Sequence, residues 1–474
     1  EGKRYFTEAV GFSGNTVLAS DSIARRMTLH AGEPFDRRKV DIDNYTIRYS
    51  YDDLGYADAE VDSKYRIRDG FVYVTHHITE GSRQFVERID LIGLEVTRPS
   101  VVKRALRIGE GDLLRYERIL ESQRRLYRLG IFTAIRTKIV DAGTAGRKNI
   151  QFLLTERNRA IVNFRIGYGT RDMIRIGAGL THRNMFGRAW QGMIEGKLSM
   201  AEQRVSTQMK FPRMAIVPVD VGLGFFLKRL EEIGYVTNSL GGNATTRYEM
   251  QKNELSAKYE VERVRTYYTD EDSTDTDLLH GITVGWIADR RDDPFYTKKG
   301  SYAGASVEMS GMILPSDVDY MRCTAQLRLY SPVVGVVLAA SVKAGAATAV
   351  SPTTEVPIYK RFYCGGTSSV RGFSERSIGP IDENGNPAGG RFLAECSAEA
   401  RFPIYRFLGG VLFVDGGNIW QNLDDISASM RWSIGGGLRL KSFIGSIRLD
   451  YGFKVGREEE EPAGVLHFAV GEAF

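Results

Sequence analysis

The chain has 474 residues, 42% of them hydrophobic, which is enough to bury a large core and to form more than one domain. Lys and Arg total 64 against 59 for Asp and Glu, and a net charge of +5 is too small to indicate a nucleic-acid partner. No run of 18 apolar residues occurs, which excludes a transmembrane helix but leaves a β-barrel open, because barrel strands need only alternate. Cys323, Cys364 and Cys396 have no metal-binding spacing and allow at most one disulfide, so we expect no metal and no cofactor.

The first 157 residues contain the same order of predicted elements twice. In the first copy the elements are an apolar strand from Tyr5 to Val10, helices from Ser20 to Leu29 and from Arg37 to Leu54, and two strands that end near Thr79. In the second copy they are a strand from Phe85 to Leu91, a helix opened by Pro99, a helix from Tyr116 to Leu129, and strands from Phe132 to Val140 and from Ile150 to Glu156. Each copy therefore has the order β-α-α-β-β.

Glycines mark equivalent positions in the two copies. Gly14 and Gly93 lie 79 residues apart, and so do Gly32 and Gly111, which favours an internal repeat. Two unrelated α+β domains stay open as an alternative, because weak repeats are easily found in any chain. The element order resembles that of POTRA domains. This resemblance implies two periplasmic domains with strand edges to which extended polypeptide can add.

After Arg159 the helical period disappears and short alternating segments take over. The segment from Tyr320 to Leu329 places Met321, Cys323, Ala325, Leu327 and Leu329 on one face and Arg322, Thr324, Gln326 and Arg328 on the other. The same alternation recurs from Phe392 to Arg401 and from Ile447 to Val455. A soluble β-sandwich also alternates, so the period alone does not separate it from a transmembrane barrel.

Three further features favour the transmembrane barrel. The segments are about ten residues long, which suits a tilted strand that crosses a bilayer. Their polar faces carry charges strand after strand, as a wet lumen permits. The last segment ends at Phe474, and Leu466, Phe468 and Val470 share its face. From Ile161 onward we count about sixteen strands, although the stretch from Thr245 to Tyr268 fits either one long strand or two short ones. We predict a 16-stranded antiparallel transmembrane β-barrel.

A long segment, about residues 351–391, interrupts the alternation and is far longer than a hairpin turn. It contains Gly365-Gly366, then Val370-Arg371-Gly372-Phe373, then Ile378-Gly379-Pro380. With the later Phe413-Val414-Asp415-Gly416-Gly417, these motifs resemble the sixth extracellular loop and the acidic wall of the Omp85 superfamily. The resemblance implies that the loop folds back into the barrel lumen and that Arg371 docks on acidic wall residues.

The wall partners of Arg371 can be predicted from the face of the strand on which each acidic residue lies and from the resemblance. A guanidinium inside a polar lumen needs carboxylate partners to offset its desolvation. Glu399 and Glu395 lie on the charged face of their strand, and Asp415 matches the acidic wall motif of the family. We predict Asp415 as the first partner and Glu399 as the second. The alternative is that Arg371 is an ordinary solvated loop arginine.

Within the superfamily the chain most resembles barrel-assembly subunits, which implies a cell outer membrane protein that folds and inserts β-barrel proteins and is not an enzyme. Its partners would be unfolded β-barrel clients, periplasmic accessory lipoproteins and outer-membrane lipid. The working site implied is the closing seam, where the first barrel strand, Ala160 to Gly169, pairs with the last, Leu466 to Phe474. Gly464 and Gly471 would weaken the last strand, so that client strands could add at an opened edge. The alternative for these glycines is plain strand weakening or packing against an aromatic side chain.

We expect the domains to be residues 1–80 and 81–158, both POTRA-like, and residues 159–474, the barrel. Because the chain begins at Glu1 without a charged and apolar leader, we expect a processed form or part of a longer protein, and the total number of POTRA domains stays open. A translocation and assembly module and a two-partner-secretion pore stay open as alternatives within the superfamily. An outer-membrane enzyme is the alternative from another class, but the six histidines form no Ser/His/Asp hydrolase spacing.

Overall fold

A computed structural model of the chain describes residues 4–212, 219–269, 273–294, 296–426, 429–442, 445–459 and 461–470. The chain divides into two compact units, Glu1–Arg159 with Arg183–Ala189, and Ala160–His182 with Trp190–Phe474. Among the residues described, no helix is both long and apolar enough to cross a membrane.

The first half of the N-terminal unit is a three-stranded sheet covered by helices. Its elements are β1 (Phe6–Ser13), α1 (Ser20–Ala24), α2 (Arg37–Asp53), β2 (Glu60–Arg68) and β3 (Phe71–Thr79). Strand β3 lies in the middle, parallel to β1 and antiparallel to β2. Helix α2 is capped by Asp36, whose carboxylate accepts the Arg38 amide at 2.9 Å, and it buries Ile47 and Tyr51 against the sheet side of the domain.

The second half repeats the same topology. Its elements are β4 (Phe85–Ile92), α3 (Pro99–Ala105), α4 (Tyr116–Arg128), β5 (Phe132–Asp141) and β6 (Arg147–Glu156), with β6 in the middle of the sheet. The predicted β-α-α-β-β order is therefore confirmed for both copies.

The glycines at equivalent positions of the two copies make the same contact. Gly14 and Gly93 both have positive φ, and a β-carbon at either position would stand 2.1 Å from the Ile78 carbonyl oxygen or 2.3 Å from that of Leu154. Only glycine fits this approach of one chain segment to another. The match between the two sites is structural evidence for the repeat.

The first predicted helix is shorter than the sequence indicated. We expected it to run to Leu29, but α1 ends at Ala24. The carboxylate of Asp43 in α2 accepts the amides of Thr28 at 2.6 Å and Leu29 at 3.1 Å. These amides bind a side chain from another helix, so they are not available for the helical ladder.

The C-terminal unit is a closed antiparallel barrel in which each strand pairs with its neighbours in the chain, and its described part has sixteen strands. The strands are β7 (Ala160–Gly169), β8 (Met173–Met185), β9 (Trp190–Leu198), β10 (Glu202–Phe211), β11 (Val219–Glu232), β12 (Tyr235–Met250), β13 (Asn253–Tyr268), β14 (Thr274–Asp289), β15 (Gly300–Ser310), β16 (Tyr320–Val333), β17 (Val336–Ala349), β18 (Phe392–Tyr405), β19 (Leu408–Trp420), β20 (Arg431–Ser442), β21 (Gly445–Val455) and β22 (Gly464–Val470). The predicted strand number is confirmed, and the doubtful stretch before Tyr268 is divided between β12 and β13.

The wall alternates as the sequence predicted. On β16 the outward Leu327 and Leu329 are exposed, whereas inward carboxylates such as Glu399 on β18 are buried in the lumen. Cys323 and Cys396 lie at outward positions of β16 and β18, Cys364 lies in the loop that follows β17, and all are free thiols. The outward face therefore suits lipid and the inward face suits charged groups.

Candidate functional site

The long loop (residues 350–391) connects β17 to β18 and packs against the inner wall of the barrel. The loop and the wall together form a small apolar core. It consists of Ala347, Val356, Phe362, Cys364, Val370, Phe373, Ile378, Leu393 and Ile419. Burial of apolar side chains from both loop and wall stabilises this position. The loop is thus a packed part of the barrel interior.

Arg371 is the most deeply buried charged residue of the loop, with 1% of its side chain exposed. Its Nε and Nη2 atoms each donate to a different oxygen of Asp415 at 2.7 Å, and its backbone amide donates to the same carboxylate at 3.1 Å. Its Nη1 donates to Glu399 at 2.6 Å. A planar guanidinium held by two carboxylates in this way is fixed in position as well as neutralised.

Further wall residues complete the surroundings of Arg371. Its guanidinium lies 3.5 Å from the ring centre of Phe413, and its Nη1 is 3.8 Å from the Asp450 carboxylate. Asp450 also binds Arg439, and Glu399 also binds Arg401 at 2.7 Å. The cluster therefore joins β18, β19, β20 and β21 through the loop arginine.

The residues around Arg371 make this docking sterically possible. Val370 and Phe373 are fully buried, and both belong to the apolar core that the loop shares with the wall. A β-carbon on Gly372 would stand 2.5 Å from the Ser433 side chain. Glycine at this position allows the loop to approach the wall of the barrel.

Sequence reasoning named some partners and missed others. The structure places Asp415 and Glu399 on Arg371, whereas Glu395 binds Lys343 at 2.9 Å and the hydroxyl of Ser369. Asp450 and His467 were not predicted as partners. Both residues lie at inward-facing positions of strands in which apolar and polar residues alternate. This alternation was the signal in the sequence that could have indicated them.

Two other sites fix the loop to the opposite part of the wall. Lys360 donates to Glu308 on β15 at 2.8 Å, and the adjacent Tyr359 donates to Asp277 on β14 at 2.6 Å. Arg376 forms an ion pair with Glu232 on β11 at 2.6 Å. The loop therefore contacts the barrel wall at three separated positions.

The seam between β22 and β7 has the fewest paired residues of the strand pairs in the described part of the barrel. All ten residues of β7 pair with β8, but within the described part of the chain β22 pairs with β7 at Ala469 and Gly169 alone. Gly464, predicted as a kink position, is the first residue of β22 and pairs with Phe453 on β21. The other two seam residues named from the sequence, Gly471 and Phe474, lie outside the described residues.

A cavity of about 950 Å³ lies inside the barrel along strands β7 to β12, beside the seam. Charged side chains line it, and some of them are paired across strands, as Arg165 is with Glu195. The remaining charged lining residues are Arg175, Lys197, Glu202 and Arg204. Among the described residues, the loop therefore occupies one side of the lumen, and charged side chains face a cavity on the side of the seam.

Comparison with known proteins identifies the family. Residues 160–474 match the Omp85 superfamily domain, and residues 5–81 and 84–166 match the POTRA family, described as a surface antigen variable number repeat. The chain is 24% identical over its full length to outer membrane protein assembly factor BamA of Nitratidesulfovibrio vulgaris, of which it covers 63%. It is also 24% identical over its full length to BamA of Neisseria meningitidis, of which it covers 67%. The chain thus spans about 63% of the length of the first of these relatives.

Solved structures show the same architecture. BamA from Haemophilus ducreyi lacking POTRA domains 1-3 superimposes with a TM-score of 0.85 at 20% identity, covering 98% of this chain and 99% of that one. CdiB from Acinetobacter baumannii superimposes with a TM-score of 0.51 at 13% identity, covering 99% and 90%. At these identities the likeness concerns the fold.

A closed antiparallel barrel with a loop docked in its lumen, on a chain that begins with two β-α-α-β-β domains, defines an outer-membrane protein with periplasmic domains. The chain belongs to the Omp85 superfamily. The resemblance drawn from the loop motifs is confirmed, and so is the predicted location in the cell outer membrane.

Proposed function

We propose that the protein folds β-barrel proteins and inserts them into the outer membrane by adding client strands at the seam between β22 and β7. The process exchanges hydrogen bonds and involves no covalent chemistry. In this proposal, residues 1–80 and 81–158 handle unfolded clients in the periplasm together with accessory lipoproteins. Residues 159–474 perform the insertion in contact with outer-membrane lipid.

The observation that carries the proposal is the short overlap between β7 and β22 within the described part of the chain. Between Ala160 and Tyr168 this strand has no ladder partner on the β22 side among the described residues. Its outward side chains Val162, Phe164 and Ile166 are exposed, as lipid-facing residues are. An edge of this kind offers backbone N–H and C=O groups to an incoming strand, which then never exposes its own unpaired groups to lipid.

The open side of the lumen supports the same proposal. The cavity of about 950 Å³ borders the seam and is lined by charged and polar side chains together with apolar ones such as Met193 and Phe226. A β-hairpin added at β7 would have one apolar and one polar face. Its apolar face would lie in lipid, and its polar face would be turned toward this cavity.

Site-specific photo-crosslinking tests the proposal directly. A photoreactive amino acid at Ile166 on β7 should capture several unrelated barrel clients in cells. The same substitution at Ile194, which is lipid-facing on β9 between two paired strands, is the matched control and should capture none. Equal capture at both positions would contradict strand addition at the seam.

A two-partner-secretion pore is the second candidate, and the presence of two β-α-α-β-β domains before the barrel supports it. Depletion of the full-length protein separates the two functions. A general assembly factor should reduce many outer-membrane barrels together. The loss of one secreted protein, with the other barrels unchanged, would support the pore.

A further inference from the structure

The long loop contacts both sides of the seam through residues five positions apart in the chain, Arg371 and Arg376. On the β22 side, His467 Nε2 donates to the backbone carbonyl of Arg371 at 2.9 Å. The other ring nitrogen of His467 lies 3.2 Å from the Thr367 hydroxyl. Two loop residues thus hold the inner face of the last barrel strand.

On the β7 side the contact runs through a carboxylate of the wall. Glu232, the last residue of β11, binds the guanidinium of Arg376 at 2.6 Å and also that of Arg171. Arg171 lies in the short turn between β7 and β8. Only 3% of the Glu232 side chain is exposed, so both guanidiniums share one carboxylate away from bulk water.

Arg376 itself is held firmly in the loop. Its guanidinium stacks over the ring of Tyr363 at 4.0 Å, and its Nη1 donates to the hydroxyl of Tyr235 at 3.2 Å. Its backbone has φ of +60°, a conformation that non-glycine residues seldom adopt. The surroundings therefore fix the side chain that meets Glu232.

The turn that Arg171 belongs to also closes the seam. The hydroxyl of Thr170 accepts the amide of Phe468 at 3.1 Å and donates to the carbonyl of the same residue at 3.3 Å. The Thr170 side chain thereby makes the two hydrogen bonds to Phe468 that the backbone of a paired strand residue would otherwise make. The rings of Tyr168 and Phe468 lie 5.6 Å apart across the seam.

We propose that residues 371–376 act as a strap across the seam and that Glu232 is the positioning residue that couples this strap to the closing contact at Thr170. With the strap in place, Arg171 is fixed and Thr170 stays on Phe468. When Arg376 leaves Glu232, the turn between β7 and β8 is released and the edge of β7 opens. The inference rests on the proposed function, because an opened edge serves strand addition.

Loss of the Glu232 charge should release Arg376 in the strap and also Arg171 in the turn between β7 and β8. In Glu232→Gln, both guanidiniums lose the charge-assisted hydrogen bonds to the one carboxylate that they share. Arg371 keeps Asp415 and Glu399, so the main docking of the loop is preserved. The variant therefore separates seam closure from loop docking.

The test is a seam disulfide in the full-length protein in outer membranes. Cysteines replace Gly169 and Ala469, which are directly opposite each other, and a β-carbon at Gly169 meets only ordinary contacts with Arg175. The rate of disulfide formation under mild oxidation measures the closed fraction. We expect Glu232→Gln to lower the rate of disulfide formation about fivefold, the lower end of typical coupling between two sites.

Three comparisons make the result decisive. Glu202→Gln is the matched control, because Glu202 lies at the same end of the barrel and pairs with Lys197 within its own hairpin. Its rate should equal that of the parent. Arg376→Gln should repeat the loss, and the double variant of Glu232 and Arg376 should add nothing further, since both changes break one contact. Additive losses would mean general weakening of the barrel and would overturn the strap.

A parent-like rate in Glu232→Gln, with the barrel folded by its heat-dependent gel migration, would also overturn the inference. If Glu232→Gln fails to fold, Arg171→Gln in the partly exposed turn gives the same test, and a parent-like rate there overturns the strap equally. The seam disulfide forms without a client. A falling rate in a protein that inserts no client would therefore refute the proposed function and leave the strap standing.

Discussion

Gly452 on β21 lies so close to the backbone of Arg371 that a β-carbon at this position would stand 2.6 Å from the carbonyl carbon and oxygen of Arg371. Gly452→Ala should therefore displace the docked loop without removing any charge. We expect the barrel to lose about 1–3 kcal/mol of stability, the usual cost of overpacking. The temperature at which the folded band disappears in heat-dependent gel migration measures the loss.

The control for this prediction is Gly436→Ala on the neighbouring β20. A β-carbon there would meet Leu412 and Val411 at 3.5 Å, an ordinary van der Waals distance. This variant should behave like the parent. If both alanine variants lose the same stability, the loss comes from replacing any strand glycine. The close approach of Gly452 to Arg371 would then not be its cause.

Arg371→Ala should destabilise the barrel more than any exposed arginine does. It leaves Asp415 buried without this cation and Glu399 with Arg401 as its remaining ion-pair partner, and loss of one partner from a buried pair costs about 3–5 kcal/mol. Arg371→Lys keeps the charge but loses the paired hydrogen bonds to Asp415, so it should fall between parent and alanine. Denaturant midpoints in detergent give the order.

Arg229→Ala is the comparison for Arg371→Ala. Arg229 is an exposed residue 3.8 Å from Glu231, and an exposed pair of this kind contributes about 0–1 kcal/mol. If Arg371→Ala lowers the denaturant midpoint no more than Arg229→Ala does, the buried cluster is not needed for stability.

The architecture was largely predictable from the sequence because its signals are local. Alternation of apolar and polar residues such as Leu327 and Arg328 determines which side of a strand meets lipid. Glycines at a constant spacing of 79 residues indicate the repeat directly. The end of α1 was not predictable, because it depends on Asp43, a residue of another helix that binds the amides of Thr28 and Leu29.

The candidate site was predictable only in part. Parity and the loop motif named Asp415 and Glu399, and the structure places both on Arg371. That this contact serves client insertion stays a prediction. The contact between Arg376 and Glu232 joins residues 144 positions apart, and no local pattern relates them, because their meeting depends on closure of the whole barrel.

Asp52 should hold the two N-terminal domains together. It lies in the last turn of α2, and its carboxylate oxygens accept the amide of Tyr116, the first residue of α4 in the next domain, at 2.9 and 3.1 Å. Asp52→Ala removes a helix cap, which costs about 1 kcal/mol, and it should loosen the joint. Amide hydrogen exchange in the first turn of α4 should become faster.

The neighbouring Asp53→Ala is the control for the joint. Asp53 makes a longer ion pair, 3.5 Å to Arg115, and its side chain is 56% exposed. Its removal should leave exchange in α4 nearly unchanged. If Asp52→Ala also leaves it unchanged, then packing between the domains, and not the cap, determines the joint.

The first domain should lose stability in acid because of Glu80. This carboxylate accepts the amides of Thr16 at 2.6 Å and Val17 at 2.8 Å and the hydroxyl of Tyr51 at 2.7 Å. Burial alone would raise the pKa of Glu80, but these hydrogen bonds outweigh it and hold the pKa at about 2.

Because the folded pKa of Glu80 is lower than the ordinary value of 4.5, its contribution is complete above pH 4.5 and is lost as the pH falls toward about 2. The protection of the Thr16 and Val17 amides against hydrogen exchange should follow this window in the full chain. In Glu80→Gln the protection should be low throughout and independent of pH, whereas Glu60→Gln, at an exposed position of β2, should keep the parent profile. A parent profile in Glu80→Gln would mean that the backbone of this loop is held by other contacts and that Glu80 does not govern its response to acid.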